Sequence, residues 1–238
     1  SRWFAGQPPV THDDIHVARL RAAGAIPIGK TATPEFGEWG YTASPALGVT
    51  RNPWDPSRTP GGSSGGSSAA VSSGMVPFCT ASDGGGSIRS PAGFTGLVGL
   101  KCCYGRIPSL DGGRIAQNAT VGSLTTTVSD HALLLDIVAG PDRRDRTCMP
   151  APTVRYADAI ERLDVDGLRV AWSADLGFAI VDPEVEAIAA AACDVLTAAA
   201  GLRRVDVDVR FDDYIPIYSR VEGVDKFVNI DSTLWREH

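Results

Sequence analysis

Residues 60–101 read PGGSSGGSSAAVSSGMVPFCTASDGGGSIRSPAGFTGLVGLK. Two Gly/Ser clusters, one from Gly61 to Ser68 and one from Asp83 to Arg89, bracket a run of small residues to Gly74 and the apolar stretch Val76-Pro77-Phe78-Cys79-Thr80, which reads as a strand. A flexible Gly/Ser linker would sit between domain ends. These clusters enclose a compact apolar element instead. Three glycines before Ser87 let the backbone turn its N–H groups toward a common point, and no side chain blocks the approach of a substrate. An oxyanion hole has that requirement, and one preorganised donor there contributes about 3 to 4 kcal/mol to a transition state. Ser63 precedes Ser87 by 24 positions, so the two hydroxyls meet only if the chain folds them together.

Regular structure is expected on both sides of this stretch. Thr11-His12-Asp13-Asp14 precedes Ile15, Val17, Ala18, Leu20 and Ala22 at helical spacing, with Gly24 as the stop, and Ala25-Ile26-Pro27-Ile28-Gly29 reads as a short buried strand. Thr31 to Gly66 holds seven glycines and five prolines among aromatic residues and reads as packed irregular loop. Downstream, Ser129 is a candidate cap for a helix carrying Leu133, Leu134, Leu135, Ile137 and Val138, stopped by Gly140-Pro141. Asp182-Pro183-Glu184 is a stronger start, for a helix running to about Ala200. Leu168 to Trp172 and the alternating Val205-Asp206-Val207-Asp208-Val209 read as strands. Helices and strands take turns, which predicts an α/β fold: a mixed, mostly parallel sheet covered on both faces by helices.

The composition narrows the function. With 238 residues, 43% hydrophobic and 21% charged, the chain is long enough to bury a core that holds a rigid site, and residues 1–238 are read as a single domain. A net charge of −6 with no run of five basic residues argues against nucleic acid or an anionic membrane as partner. The apolar stretch Ala187 to Cys193 is far short of the roughly 20 residues a spanning helix needs. No export signal is visible, so a cytoplasmic location is expected. Cys79, Cys102, Cys103, Cys148 and Cys193 have neither C-x-x-C nor zinc-type spacing; reduced, mostly buried thiols are expected, with no metal and no cofactor.

Two motifs mislead. Gly24-Ala25-Ile26-Pro27-Ile28-Gly29-Lys30-Thr31 matches the phosphate-loop pattern, but a helix ends where the preceding strand should be, and Pro27 has no N–H to offer a phosphate. Gly61-Gly62-Ser63-Ser64-Gly65 satisfies G-x-S-x-G, but that mechanism needs a following histidine. Only His131 and the terminal His238 follow, and His131 reads as a capping-turn or surface residue.

At Pro60 to Lys101 the chain resembles the amidase signature family of serine amidohydrolases. The likeness extends to the helix at Asp13, to GKTATPEF and NPWDPSRTPGG before this run, and to YGRIP, VGSLTTTVSDHALLLDIVAGPDRRD and DGLRVAW after it. The resemblance implies a Ser-Ser-Lys device for hydrolysing a small-molecule carboxylic acid amide. Ser87 would attack the carbonyl, and Ser63, on a cis peptide after Gly62, would relay the proton to a neutral lysine. N–H groups around Gly84, Gly85, Gly86 and Ser87 would hold the oxyanion. Ser64 would hydrogen-bond the pair, while Asp83 and Arg89 would brace the nucleophile loop. Such a relay suits the chemistry, because a serine hydroxyl is a poor nucleophile until a positioned base removes its proton.

The sequence departs from the family in three places. The family lysine lies in a G-[IV]-P-x-x-x-K-D segment before the helix at Asp13, and nothing between Ser1 and Thr11 resembles it; Lys30 and Lys101 occupy other positions. Family members also continue past Trp235-Arg236-Glu237-His238, so an incomplete domain, truncated at both ends, is expected. Cys102-Cys103 stands where Pro followed by Ser or Thr is common, which predicts an altered turn. Two alternatives stay open: a glutaminase-like A subunit of a glutamyl-tRNA amidotransferase, working with partner subunits, and a catalytically silent fragment. A homodimer is compatible with either.

Overall fold

A computed structural model describes residue 6 and residues 8–110 and 118–229. Residues 1–5 and 7 and the terminal Trp235 to His238, on which part of the expectation of truncation turned, lie outside the described residues. The chain forms two compact units, Ser1–Glu161 and Arg162–His238. Among the described residues no helix is long and apolar enough to cross a membrane.

The first unit carries helix α1 (Ile15–Ala22), a 3-10 turn at Glu35–Gly37, a minimal hairpin β1 (Ala43–Ser44) and β2 (Gly48–Val49), helix α2 (Gly65–Ser72), strand β3 (Phe78–Asp83), helix α3 (Arg89–Thr95), strands β4 (Val98–Gly99) and β5 (Thr120–Thr125), and helices α4 (Val128–Val138) and α5 (Tyr156–Arg162). The α/β class stands, but the sheet that carries the site runs β3-β5-β4 with both pairings antiparallel, Asp83 opposite Thr120 and Val98 opposite Thr125. The expected parallel pairing occurs among the described strands only in the second unit, between β6 (Arg169–Val170) and β7 (Arg203–Arg204), which accompany helices α6 (Pro183–Ala199) and α7 (Ile215–Asn229).

Two predicted strands are not formed. Ala25 to Gly29 is irregular, and Ile26 and Ile28 are 83% and 76% exposed. Val205 to Val209 is cut short: the parallel pair ends at Arg203 and Arg204, the Val205 N–H still donates to the Val170 carbonyl at 2.9 Å, and residues 206–209 carry no ladder. β propensity acts through cross-strand neighbours, and neither Ala25 to Gly29 nor residues 206–209 have a paired strand among the described residues.

The caps follow the sequence more closely. Asp182 accepts the Glu184 N–H at 2.9 Å with Pro183 at the first helical position of α6, as expected. For α4 the cap is Thr127 rather than Ser129: Thr127 Oγ1 accepts the Asp130 N–H at 3.1 Å and donates to the Asp130 carboxylate at 2.7 Å. Both partners of the Thr127 hydroxyl belong to Asp130, three residues on. At the other end of α4, the Arg19 guanidinium of α1 donates to the carbonyls of Val138, Ala139, Gly140 and Pro141 at 2.7 to 3.1 Å. This fork meets the orphan carbonyls and the negative end of the helix dipole.

The main core gathers Leu20, Cys102, Ile107, Leu134, Leu135 and Val138. A second cluster, Ile88, Ala92 and Leu124, lies directly under the loop that carries Ser87. All five cysteines are free, yet only Cys102 is buried; Cys103 is exposed, and Cys79, Cys148 and Cys193 are half-buried. In the turn after Lys101 the Cys103 carbonyl accepts the Arg106 N–H at 3.0 Å.

His131 is 4% exposed, which corrects its reading as a surface or capping residue. Its Nδ1 lies 3.4 Å from Ser123 Oγ, its Nε2 is buried without a partner among the described residues, and burial holds its pKa below the ordinary value. Below about pH 6.5 the unfolded chain takes up this proton before the folded one does, so stability falls as pH drops toward the folded pKa. Urea midpoints measured from pH 8 to pH 5 should decline below neutrality, with a shallower decline in His131→Gln.

Candidate active site

The first Gly/Ser cluster is glycine-rich because its backbone is packed against other backbone. All residues from Gly61 to Ser68 are buried, and the Gly62–Ser63 peptide is cis. A Cβ on Gly62 would lie under 3.0 Å from the backbone of Trp39, Gly40 and Tyr41; on Gly65 it would strike the Thr42 side chain, and on Gly66 the backbone of Ala32. Thr42 Oγ1 donates to the Gly61 carbonyl at 2.9 Å, and the Gly66 N–H donates to the Ala32 carbonyl at 3.2 Å. These neighbours come from the Thr31 to Gly66 loop, which the sequence shows only as irregular. The Glu35–Gly37 turn closes over Ser63, since a Cβ on Gly37 would lie 3.7 Å from Ser63 Oγ. The rings of Trp39 and Tyr41, whose backbone packs on Gly62, stand 5.8 Å apart, and the two residues are 56% and 48% exposed.

The second cluster is organised by one carboxylate. Asp83 ends β3 fully buried, and its Oδ1 accepts the Gly86 N–H at 2.8 Å while Oδ2 accepts those of Ile88 and Arg89 at 3.1 and 3.2 Å. Arg89 Nε and NH2 complete a fork on the same carboxylate, both at 2.9 Å. Burial alone would raise the Asp83 pKa; the Arg89 hydrogen bonds and the two N–H groups outweigh it and hold the carboxyl below the usual range. The stability this anion contributes is present above the unfolded carboxylate pKa and is lost only as pH falls through the still lower folded value. Bracing by Asp83 and Arg89 is therefore direct.

Gly86 needs a correction. Its N–H is committed to Asp83, so it is not available to an oxyanion. Its φ of +136° and the Ser90 Oγ, 3.0 Å from a would-be Cβ, explain why glycine is required there. The N–H groups of Gly84, Gly85 and Ser87 have no partner among the described residues. Ile88 anchors the loop from below: it is fully buried, and a Cβ on Gly99 or Gly122 would collide with it.

The two clusters meet. Ser64 N–H donates to the Ser87 carbonyl at 3.4 Å, and Ser64 Oγ lies 3.3 Å from both the carbonyl and the N–H of Ser82. Ser64 thus ties the loops together through backbone, instead of through the Ser63 and Ser87 hydroxyls. Ser67 adds a second tie, donating to the Thr80 carbonyl at 3.0 Å and pairing with Thr31 Oγ1 at 2.8 Å. Lys30 is exposed, whereas Lys101 Nζ donates to the Asp83 carbonyl at 2.8 Å and to the carbonyl of Asn118. Nothing in the sequence marked Lys101 as part of this arrangement.

The family model described as Amidase matches residues 1–230. The chain belongs to the amidase family. It is 47% identical to an acylamidase of Rhodococcus erythropolis over 179 residues, 75% of this chain and 37% of that protein. It is 39% identical to the A subunit of the glutamyl-tRNA(Gln) amidotransferase of Chloroflexus aggregans over 234 residues, 97% of this chain and 47% of that one. Among solved structures, 6-aminohexanoate cyclic dimer hydrolase superposes with a TM-score of 0.82 at 36% identity, covering 91% of this chain and 46% of the other. The chain thus spans less than half the length of these relatives.

For this amidase-family site, Gly62→Ala should prevent the two loops from docking, with a loss of about 3 kcal/mol or more in urea unfolding. Asp83→Asn keeps the shape but gives up the charge-assisted bonds, and should cost about 2 to 4 kcal/mol in the same measurement.

Proposed function

We propose that this chain carries the acylating half-site of an amidase that cleaves the C–N bond of a linear carboxylic acid amide through a serine acyl-enzyme. The observation that carries the reading is the docking of the buried cis-peptide loop at Gly62–Ser63 onto the Asp83-organised loop at Ser87. Ser87 Oγ attacks the carbonyl carbon, and its proton passes to Ser63. The developing oxyanion is held by the N–H groups of Gly84, Gly85 and Ser87. Collapse of the tetrahedral adduct breaks the C–N bond, the amine leaves with a proton returned through Ser63, and water then releases the acid from Ser87 by the same path.

The family resemblance implies a lysine as the base that takes the proton from Ser63. Lys30 does not serve, because it is exposed, nor does Lys101, whose amine donates to two carbonyls. Trp39 and Tyr41, whose backbone packs on Gly62, carry exposed rings that offer an apolar surface to a substrate substituent. A second reading, a glutaminase-type component of a larger assembly, is supported by the match to an amidotransferase A subunit over 97% of the chain.

A fluorophosphonate probe should label Ser87 in the intact protein, and Ser87→Ala should abolish both labelling and amide hydrolysis. Ser63→Ala should slow turnover by a factor on the order of 10³. Labelling that survives Ser87→Ala would refute the assignment. Glutamine hydrolysis that emerges only when the other components of an amidotransferase are added would select the second reading.

A further inference from the structure

We propose that Lys101 is a positioning residue for the oxyanion hole, acting through the Asp83–Gly84 peptide; this rests on the Ser87 acyl-enzyme reading above. Backbone polar groups alternate sides along a strand, and the contacts of β3 fix which side is which. The N–H and carbonyl of Ser82 both face Ser64, at 3.3 Å. The next carbonyl, that of Asp83, faces the opposite way and receives Lys101 Nζ at 2.8 Å. Among the described peptides only Gly62–Ser63 is cis, so the Asp83–Gly84 peptide is trans and its N–H points opposite to its carbonyl. Gly84 N–H is therefore turned back toward the side on which Ser63 and Ser64 lie, and it has no partner among the described residues.

The lysine does two things to that N–H. It fixes the peptide plane: Asp83 is already held at its side chain by Gly86, Ile88 and Arg89, and the ammonium holds its carbonyl, so the plane cannot flip at the flexible Gly84-Gly85-Gly86 run. It also polarises the peptide, because a charge-assisted bond on the carbonyl strengthens the N–H at the other end as a donor. Lys101 sits two residues beyond β4, and its second carbonyl partner, Asn118, sits two residues before β5; the sheet itself delivers the ammonium to this spot.

The test compares Lys101→Met and Lys101→Arg in the intact protein, with hydrolysis of an aryl amide and inhibition by an arylboronic acid, whose tetrahedral adduct on serine places an oxygen in the hole. In Lys101→Met we expect kcat to fall roughly 10- to 100-fold, KM to change by less than about twofold and the boronate Ki to rise in parallel with the loss of kcat/KM. Lys101→Arg, which keeps a cationic donor, should recover most of the loss. Should Lys101→Met fail to fold, Lys101→Gln gives the same readouts with a neutral donor of shorter reach. A folded Met or Gln variant with unchanged kcat and unchanged boronate Ki overturns the role of Lys101 while Ser87 labelling leaves the acyl-enzyme reading standing. A parent protein whose Ser87 is never labelled overturns both.

Discussion

The buried carboxylate of Asp83 is the constraint on which the site depends. It binds three backbone N–H groups and the Arg89 fork, so five donors converge on one anion. Removing a carboxylate from water is costly unless such donors replace its hydration. Here they are supplied by the loop that the anion has to shape. A glycine run that would otherwise sample many conformations is wrapped around a fixed charge at the end of β3, and Ser87 is carried along at a set position. Ile88, seated against Gly99, Gly122 and Leu124, fastens the same loop to the sheet.

The Ser63 loop is rigid for a different reason. It holds no charge, and its glycines are places where the surrounding loop approaches closely: the backbone of Trp39, Gly40 and Tyr41 over Gly62, that of Ala32 over Gly66, and the Thr42 side chain against Gly65. One loop is ordered by electrostatics and the other by close packing, and Ser64 joins them through the Ser82 and Ser87 backbone. Preorganisation of this kind is what lets backbone donors act on a transition state without reorganising at the moment of reaction. Lys101 completes the arrangement by holding the Asp83 carbonyl, which the loop itself does not engage.

What could be read from the sequence was what local chemistry decides. The Asp182-Pro183 start and the Gly140 stop follow from residue types at short spacing, while the brace between Asp83 and Arg89 came from the family resemblance. The cap at Thr127 was misplaced by two residues because its partner, Asp130, had to be weighed with it. Most of what failed depended on distant partners. Ile26 and Ile28 look like a strand but have nothing to pair with among the described residues, and the antiparallel order β3-β5-β4 is set by chain excursions that no periodicity records. The Gly86 error was local, since its N–H closes back on Asp83 three residues before it, whereas His131 was read as a capping-turn or surface residue though it is buried against Ser123 of β5. The roles of Ala32, Trp39, Thr42 and Lys101 were hidden for the same reason, since each touches the site through backbone atoms or folding contacts that leave no motif.

A crystal structure of the intact protein inhibited by an aryl fluorophosphonate tests the central claim most directly. The account predicts phosphorus bonded to Ser87 Oγ, with Ser63 Oγ within hydrogen-bond reach of it. The phosphoryl oxygen should sit about 2.7 to 3.1 Å from N–H groups of Gly84, Gly85 or Ser87, with the Gly86 N–H still on Asp83. An adduct on another residue, or a phosphoryl oxygen turned away from those nitrogens, would contradict it.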